Sequence, residues 1–161
     1  AIDELKDTNI IFTKANSDTD GRVINQMIDQ YVMNNSNKAT GFTSLGQLRY
    51  LSALRYIDVV VGNSSSGLAE APSFKIGTIN IGDRQKGRIK AESVIDSEPD
   101  SENILNAFNK LYSIEFQEKL KVSTNPYGDR CASVKIIEKI KKINLENLLK
   151  KSFFDINIVK G

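Results

Sequence analysis

Histidine is absent from the 161 residues, and cysteine occurs once, as Cys131. The first absence removes the commonest general base and metal ligand. The second excludes an internal disulfide and any cysteine-rich zinc site, so the cytoplasm is the expected compartment and Cys131 is read as a small core residue of the last long helix. Charge of one sign is also scarce: 22 basic against 20 acidic residues give a formal net charge of +2, with no basic stripe interleaved with aromatics. Nucleic acid is therefore not an expected partner. No run approaches the roughly 18 apolar residues of a membrane span, and "AIDELKDTN" lacks a signal-peptide layout. No membrane association is expected. Familiar motifs are missing as well. G-x-x-x-x-G-K-[ST] does not occur, G-x-S-x-G does not occur, and a serine triad of the usual kind needs the histidine that is not there. The acidic loop "NSDTDGR" lacks EF-hand spacing and its terminal glutamate. No metal and no cofactor are expected.

What is present suits one globular core: 40% of the residues are hydrophobic and 26% charged. Apolar runs alternate with helical patterns. "NIIFT" reads as a strand. Val23, Ile24, Met27, Ile28, Tyr31 and Val32 recur at the helical period, with Asp18 or Asp20 available as the cap. "KATGF" reads as a weak strand, and Leu48, Leu51 and Leu54 mark a helical face with Ser44 as its cap. Ile57 to Val61 is β-branched with almost no alternation, the pattern of a central parallel strand covered on both faces. A short helix from about Gly67 to Phe74, the run "GTINI" and the segment "ESVID" follow. Helical patterns then fill "SENILNAFNKLYS", "IEFQEKLKV" and "RCASVKIIEKIKKI", the last with Asp129 as its cap. This alternation predicts an α/β fold with a Rossmann-like, doubly wound parallel sheet. The domain is placed at residues 1–143, and a Lys-rich helical tail at 144–161.

In such sheets ligands sit beyond the carboxyl ends of the strands, where the polar loops fall. "GNSSSG" sets three serines between two glycines directly after the central run. Gly62 and Gly67 let backbone approach a ligand, while Ser64, Ser65 and Ser66 offer hydroxyls and amides at a helix start. Asn63 and one of the serines also suit plain helix capping. Glu70, one turn on, can accept the hydroxyls of a ribose or complement the helix dipole. "GDRQKGR" brings Arg84, Lys86 and Arg88 to the same edge if the strands are parallel, and arginine binds phosphate bidentately. Asn16 and Arg22 flank the acidic loop. The loops suit a nucleotide diphosphate, without an evident acid–base pair.

"VVVGNSSSGLAEAPSFKIGTINIGDRQKGR", with "IIFTKANSDTDGR", "FTSLGQLRYLSAL" and "NPYGD", resembles the C-terminal half of hydrolysing UDP-N-acetylglucosamine 2-epimerases, which begin sialic acid synthesis. The similarity runs from about Ile2 to Ile143. The resemblance implies the second Rossmann-like half of a GT-B fold, with the sugar nucleotide in the cleft between halves. It implies that Ser64 and Ser65 contact the diphosphate and Glu70 the ribose hydroxyls, that Phe42, Thr43, Ser44 and Leu45 lie against the uracil, and that Asn16, Arg22 and Arg84 belong to the nucleotide site. The family reaction eliminates UDP to give a 2-acetamidoglucal, then hydrates it to N-acetylmannosamine. Its catalytic carboxylates belong to the N-terminal half and its histidine lies upstream, so no catalytic residue is expected in this chain. The implied partners are UDP or a UDP-N-acetylhexosamine, the N-terminal domain and, through apolar surface, a second copy. A sister enzyme using a UDP-diacetamido sugar on the way to legionaminic acid, and a non-catalytic nucleotide-binding module, are the alternatives.

Overall fold

The computed structural model describes residues 1–15, 19–128 and 131–146; of Thr19 and Asp20 it gives the backbone only. Two compact units divide the chain at 126/127. The described residues of the first form the strands β1 (Ile10–Thr13), β2 (Ala39–Phe42), β3 (Val59–Gly62), β4 (Gly77–Ile81) and β5 (Val94–Ser97). Between and after them run helices α1 (Thr19–Asn34), α2 (Gly46–Ala53), α3 (Ser66–Ala69), α4 (Ser101–Leu111) and α5 (Ile114–Val122), and a 3-10 turn (Ala71–Phe74) follows α3. The second unit carries α6 (Ala132–Lys142), whose Val134, Ile136, Ile137 and Ile140 are exposed.

Every ladder is parallel, as the alternation of strands and helices predicts. The strands form two groups, a β1–β2 pair and a three-stranded β3–β4–β5 sheet, where one continuous sheet was expected. That division corrects the placing of the central strand. β3 is an edge of its sheet and Val61 is 41% exposed, because among the described residues no ladder joins β3 to the β1–β2 pair. The middle of the sheet is β4, buried from Gly77 to Asn80. A β-branched run reads the same whether one neighbour is bonded to it or two.

The two faces of β4 meet different layers. Ile79, with Ile95 of β5, packs against Ala107, Phe108 and Leu111 of α4 and Phe116 and Leu120 of α5, forming the buried core. Both helices are fixed at their starts: Asp100 accepts from the Asn103 amide at 2.9 Å, and Ser113 from the Phe116 amide at 3.2 Å. On the opposite face, Thr78 donates its hydroxyl to the Gly67 carbonyl at 2.9 Å. A Cβ on Gly67 would stand 2.5 Å from Thr78 Cγ2, so only glycine lets α3 lie this close to the sheet. The chain start docks as well: Leu5 packs on the core and the Ala1 amino group bonds Ser101 Oγ at 2.9 Å.

The α1 stripe is buried on one side only. Ile28 and Val32 face Gly41 of β2, and Tyr31 meets Phe12 edge to face at 5.7 Å. Val23, Ile24 and Met27, of the same helical-period set, are 58%, 47% and 68% exposed. Cys131, expected in the core, is exposed. Ser44 does not cap α2 in the usual way: Leu45 holds the cap position, and the Ser44 hydroxyl accepts from the Gly46 amide at 3.1 Å. The Asp18 and Asp129 caps, the Asp20 side chain and most of the 144–161 tail lie outside the described residues. Among the described residues no helix is long and apolar enough to cross a membrane.

Candidate functional site

Because β3 and β4 are parallel, the segments leaving them emerge at one edge of the sheet. One is the serine turn after Gly62, whose φ of +142° suits glycine. The other is the loop after Ile81. Two residues of this loop reach Asn63 of the turn. Gln85, 3% exposed, donates from Nε2 to the Asn63 carbonyl at 2.7 Å, and Arg84 Nη1 reaches Asn63 Oδ1 at a long 3.5 Å.

The three hydroxyls of the turn divide their tasks. Ser66 Oγ is paired with the Tyr50 hydroxyl of α2. Ser64 Oγ accepts from the Ser66 amide at 3.3 Å. Ser65 occupies the cap position of α3 without a side-chain cap bond. Its carbonyl accepts from Leu68 and Ala69 at 3.1 and 2.9 Å. Among the described residues the Ser65 hydroxyl and the amides of Ser64 and Ser65 have no partner, and both residues are exposed. α3 is a single turn of four residues, so its dipole adds little and the individual N–H and O–H donors matter more.

Glu70 closes α3 as its C-cap residue and is half-buried. Burial pushes the Tyr50 phenol above its usual value against the effect of its Ser66 bond, and the Glu70 carboxylate adds to the rise. Tyr50, Ser66 and Glu70 therefore form one neighbourhood. The structure thus brings together Ser64, Ser65, Glu70 and Arg84. Phe42, Thr43 and Ser44 are exposed and Leu45 half-buried at the end of β2, just before the helix that carries Tyr50. Arg22 is exposed on the first turns of α1, and no hydrogen bond or ion pair among the described residues ties it to the serine turn. Asn16 lies outside the described residues. Gly67 is buried against Thr78, which gives packing as the reason for this glycine.

Asn63, read as a cap of the following helix, does not cap it, since Ser65 holds that position; sequence reasoning missed Tyr50 and Gln85, although both lie inside the quoted stretches. It also missed a groove of about 520 Å³ at the carboxyl ends of β4 and β5, with Asp83, Lys86, Lys90, Asp96, Glu98 and Lys110 among its lining. Its charges are of both signs and partly matched. Lys90 bonds Asp96 at 2.7 Å; partial burial raises the Asp96 carboxyl, but the bonds from Lys90 and Asn80 and the Lys90 charge outweigh it and hold the group below the usual range. No group of acidic or thiol side chains suited to a metal occurs among the described residues.

A family model described as UDP-N-acetylglucosamine 2-epimerase matches residues 1–141. The chain belongs to this family. Among curated relatives of this epimerase-family chain, "GDP/UDP-N,N'-diacetylbacillosamine 2-epimerase (hydrolyzing)" of Campylobacter jejuni is 45% identical over 96% of the chain and 40% of its own length. "Polysialic acid biosynthesis protein P7" of Escherichia coli is 36% identical over 97% of the chain and 40% of its own length. A crystal structure titled as a putative UDP-N-acetylglucosamine 2-epimerase from Listeria monocytogenes superposes with a TM-score of 0.68 at 20% identity, over 87% of this chain and 37% of that one. The chain thus spans about 40% of the length of these curated relatives, and the expected GT-B-type α/β fold agrees with the structural neighbours.

Proposed function

We propose that this chain is the UDP-binding part of a hydrolysing UDP-N-acetylhexosamine 2-epimerase, and that the serine turn holds the diphosphate. The observation that carries the reading is the set of uncommitted donors, the Ser64 and Ser65 amides and the Ser65 hydroxyl, on a turn fixed from two sides by Gln85 and Tyr50. Donors already held in place stabilise the negative charge of a departing diphosphate without reorganising when the sugar C1–O bond breaks. Arg84, adjoining through Asn63, supplies a positive charge for the same oxygens. Glu70 accepts the ribose hydroxyls, and residues 42–45 lie against the base. In this reading the base that removes the proton at C2, and the groups that hydrate the resulting glycal, come from a region outside this chain. The chain alone binds UDP weakly and does not turn over.

The 45% identity to a relative named for diacetylbacillosamine favours a second substrate reading, a UDP-diacetamido sugar. The nucleotide-holding residues are shared by both readings. Calorimetric titration of UDP into the chain, beside Glu70→Ala and Ser65→Ala, tests the nucleotide site: saturable binding weakened by each change supports it, and equal binding in all three proteins contradicts it. Release of N-acetylmannosamine from UDP-N-acetylglucosamine by the pure chain would overturn the division of labour.

A further inference from the structure

Gln85 is buried, and its side chain spends its one recorded bond on a backbone carbonyl, that of Asn63. Asn63 itself is exposed. Gln85 Oε1 is buried with no partner among the described residues, and an unsatisfied buried acceptor costs stability. A glutamine with one bond and one orphaned oxygen is a poor device for holding a fold together.

The bond has another consequence. The peptide joining Asn63 to Ser64 is planar and trans, so the Ser64 N–H points opposite to the Asn63 C=O. Pinning that carbonyl on buried Gln85 turns the Ser64 N–H away from the β4–β5 loop, and no group among the described residues accepts it. We infer that Gln85 is a positioning residue: it fixes the Asn63–Ser64 peptide plane so that the Ser64 amide is presented outward as a donor for a phosphoryl oxygen of the bound nucleotide. This rests on the nucleotide reading of the serine turn and adds a residue that touches neither phosphate nor sugar.

The test compares UDP with uridine, which lacks the phosphates, on the wild-type chain, Gln85→Leu and Gln85→Glu. Gln85→Leu is expected to weaken UDP about tenfold, the worth of one hydrogen bond to a charged group. Uridine affinity and melting temperature should stay close to wild type. Gln85→Glu preserves size and serves if the leucine variant does not fold. Its introduced carboxyl can donate to the Asn63 carbonyl only when protonated, and burial favours that form. Measured against wild type at each pH, its UDP affinity should recover between about pH 8 and pH 5.

Weakening of UDP and uridine by the same factor, or of neither, overturns the assignment to Gln85 while the nucleotide site stands. Absence of UDP binding by the wild-type chain removes the nucleotide reading and this inference with it.

Discussion

Gly67→Ala isolates the contact that sets α3 on the sheet. The added methyl would lie 2.5 Å from Thr78 Cγ2, where unstrained carbon contacts fall at about 3.5–4.0 Å. Thr78 is 1% exposed and tied to the Gly67 carbonyl at 2.9 Å, so it cannot rotate away without stranding a buried hydroxyl. Overpacking costs about 1–3 kcal/mol and a stranded hydroxyl about 1–3 more, which puts the variant roughly 2–6 kcal/mol below wild type. For a domain of this size, at about 3 °C per kcal/mol, that is a drop of roughly 6–18 °C in melting temperature. The clash resides in one methyl group, so Thr78→Ser, which removes Cγ2 and keeps the hydroxyl, should relieve it. Thermal unfolding of both singles and the double variant reads the coupling, expected at about 1–2 kcal/mol in favour of the double. A Gly67→Ala protein that melts within about 2 °C of wild type, or a double variant with purely additive losses, refutes the packing account. If Gly67→Ala kept its stability and lost UDP, the glycine would serve the ligand instead.

Leu111→Ala opens a cavity in a fully buried position that also touches Gly77, and chemical denaturation should show a loss of about 3–5 kcal/mol. Tyr50→Phe and Ser66→Ala break the same bond, so in calorimetry the double variant should bind UDP no more weakly than either single. The Asn103 amide and side chain hold the Asp100 carboxyl below the usual carboxylate range. A depressed folded value contributes stability above the unfolded value of about 3.9 and loses it as pH falls through the folded one. Asp100→Asn, which still caps α4, should therefore flatten the decline of melting temperature below about pH 4, and an unchanged acid limb would contradict this.

What the sequence made legible was local. The starts of α4 and α5, the run that became β4 and the loops at the sheet edge follow from period and turn residues within a few positions of each other. The position of β3 was not legible, since its β-branched run carries no record of whether β1 would bond to it. The exposed side of α1 was missed for a related reason: Val23, Ile24 and Met27 share a helical stripe with Ile28 and Val32, and only the neighbouring strand decides which half is covered. The serine turn divided in the same way. Its composition pointed to capping or to a ligand, but the Ser66 hydroxyl is taken by Tyr50, 16 residues earlier in the chain. Gln85 looked like one polar residue in a charged loop, and its burial depends on Asn63, 22 positions away.

The most direct measurement is an amide NMR titration with UDP that maps which residues respond. The account predicts the largest changes at Ser64 and Ser65, with smaller ones at Glu70 and residues 42–45. Changes confined to the groove lined by Asp83, Lys86 and Lys110, or none at saturating UDP, would contradict the central claim that the serine turn is the nucleotide site.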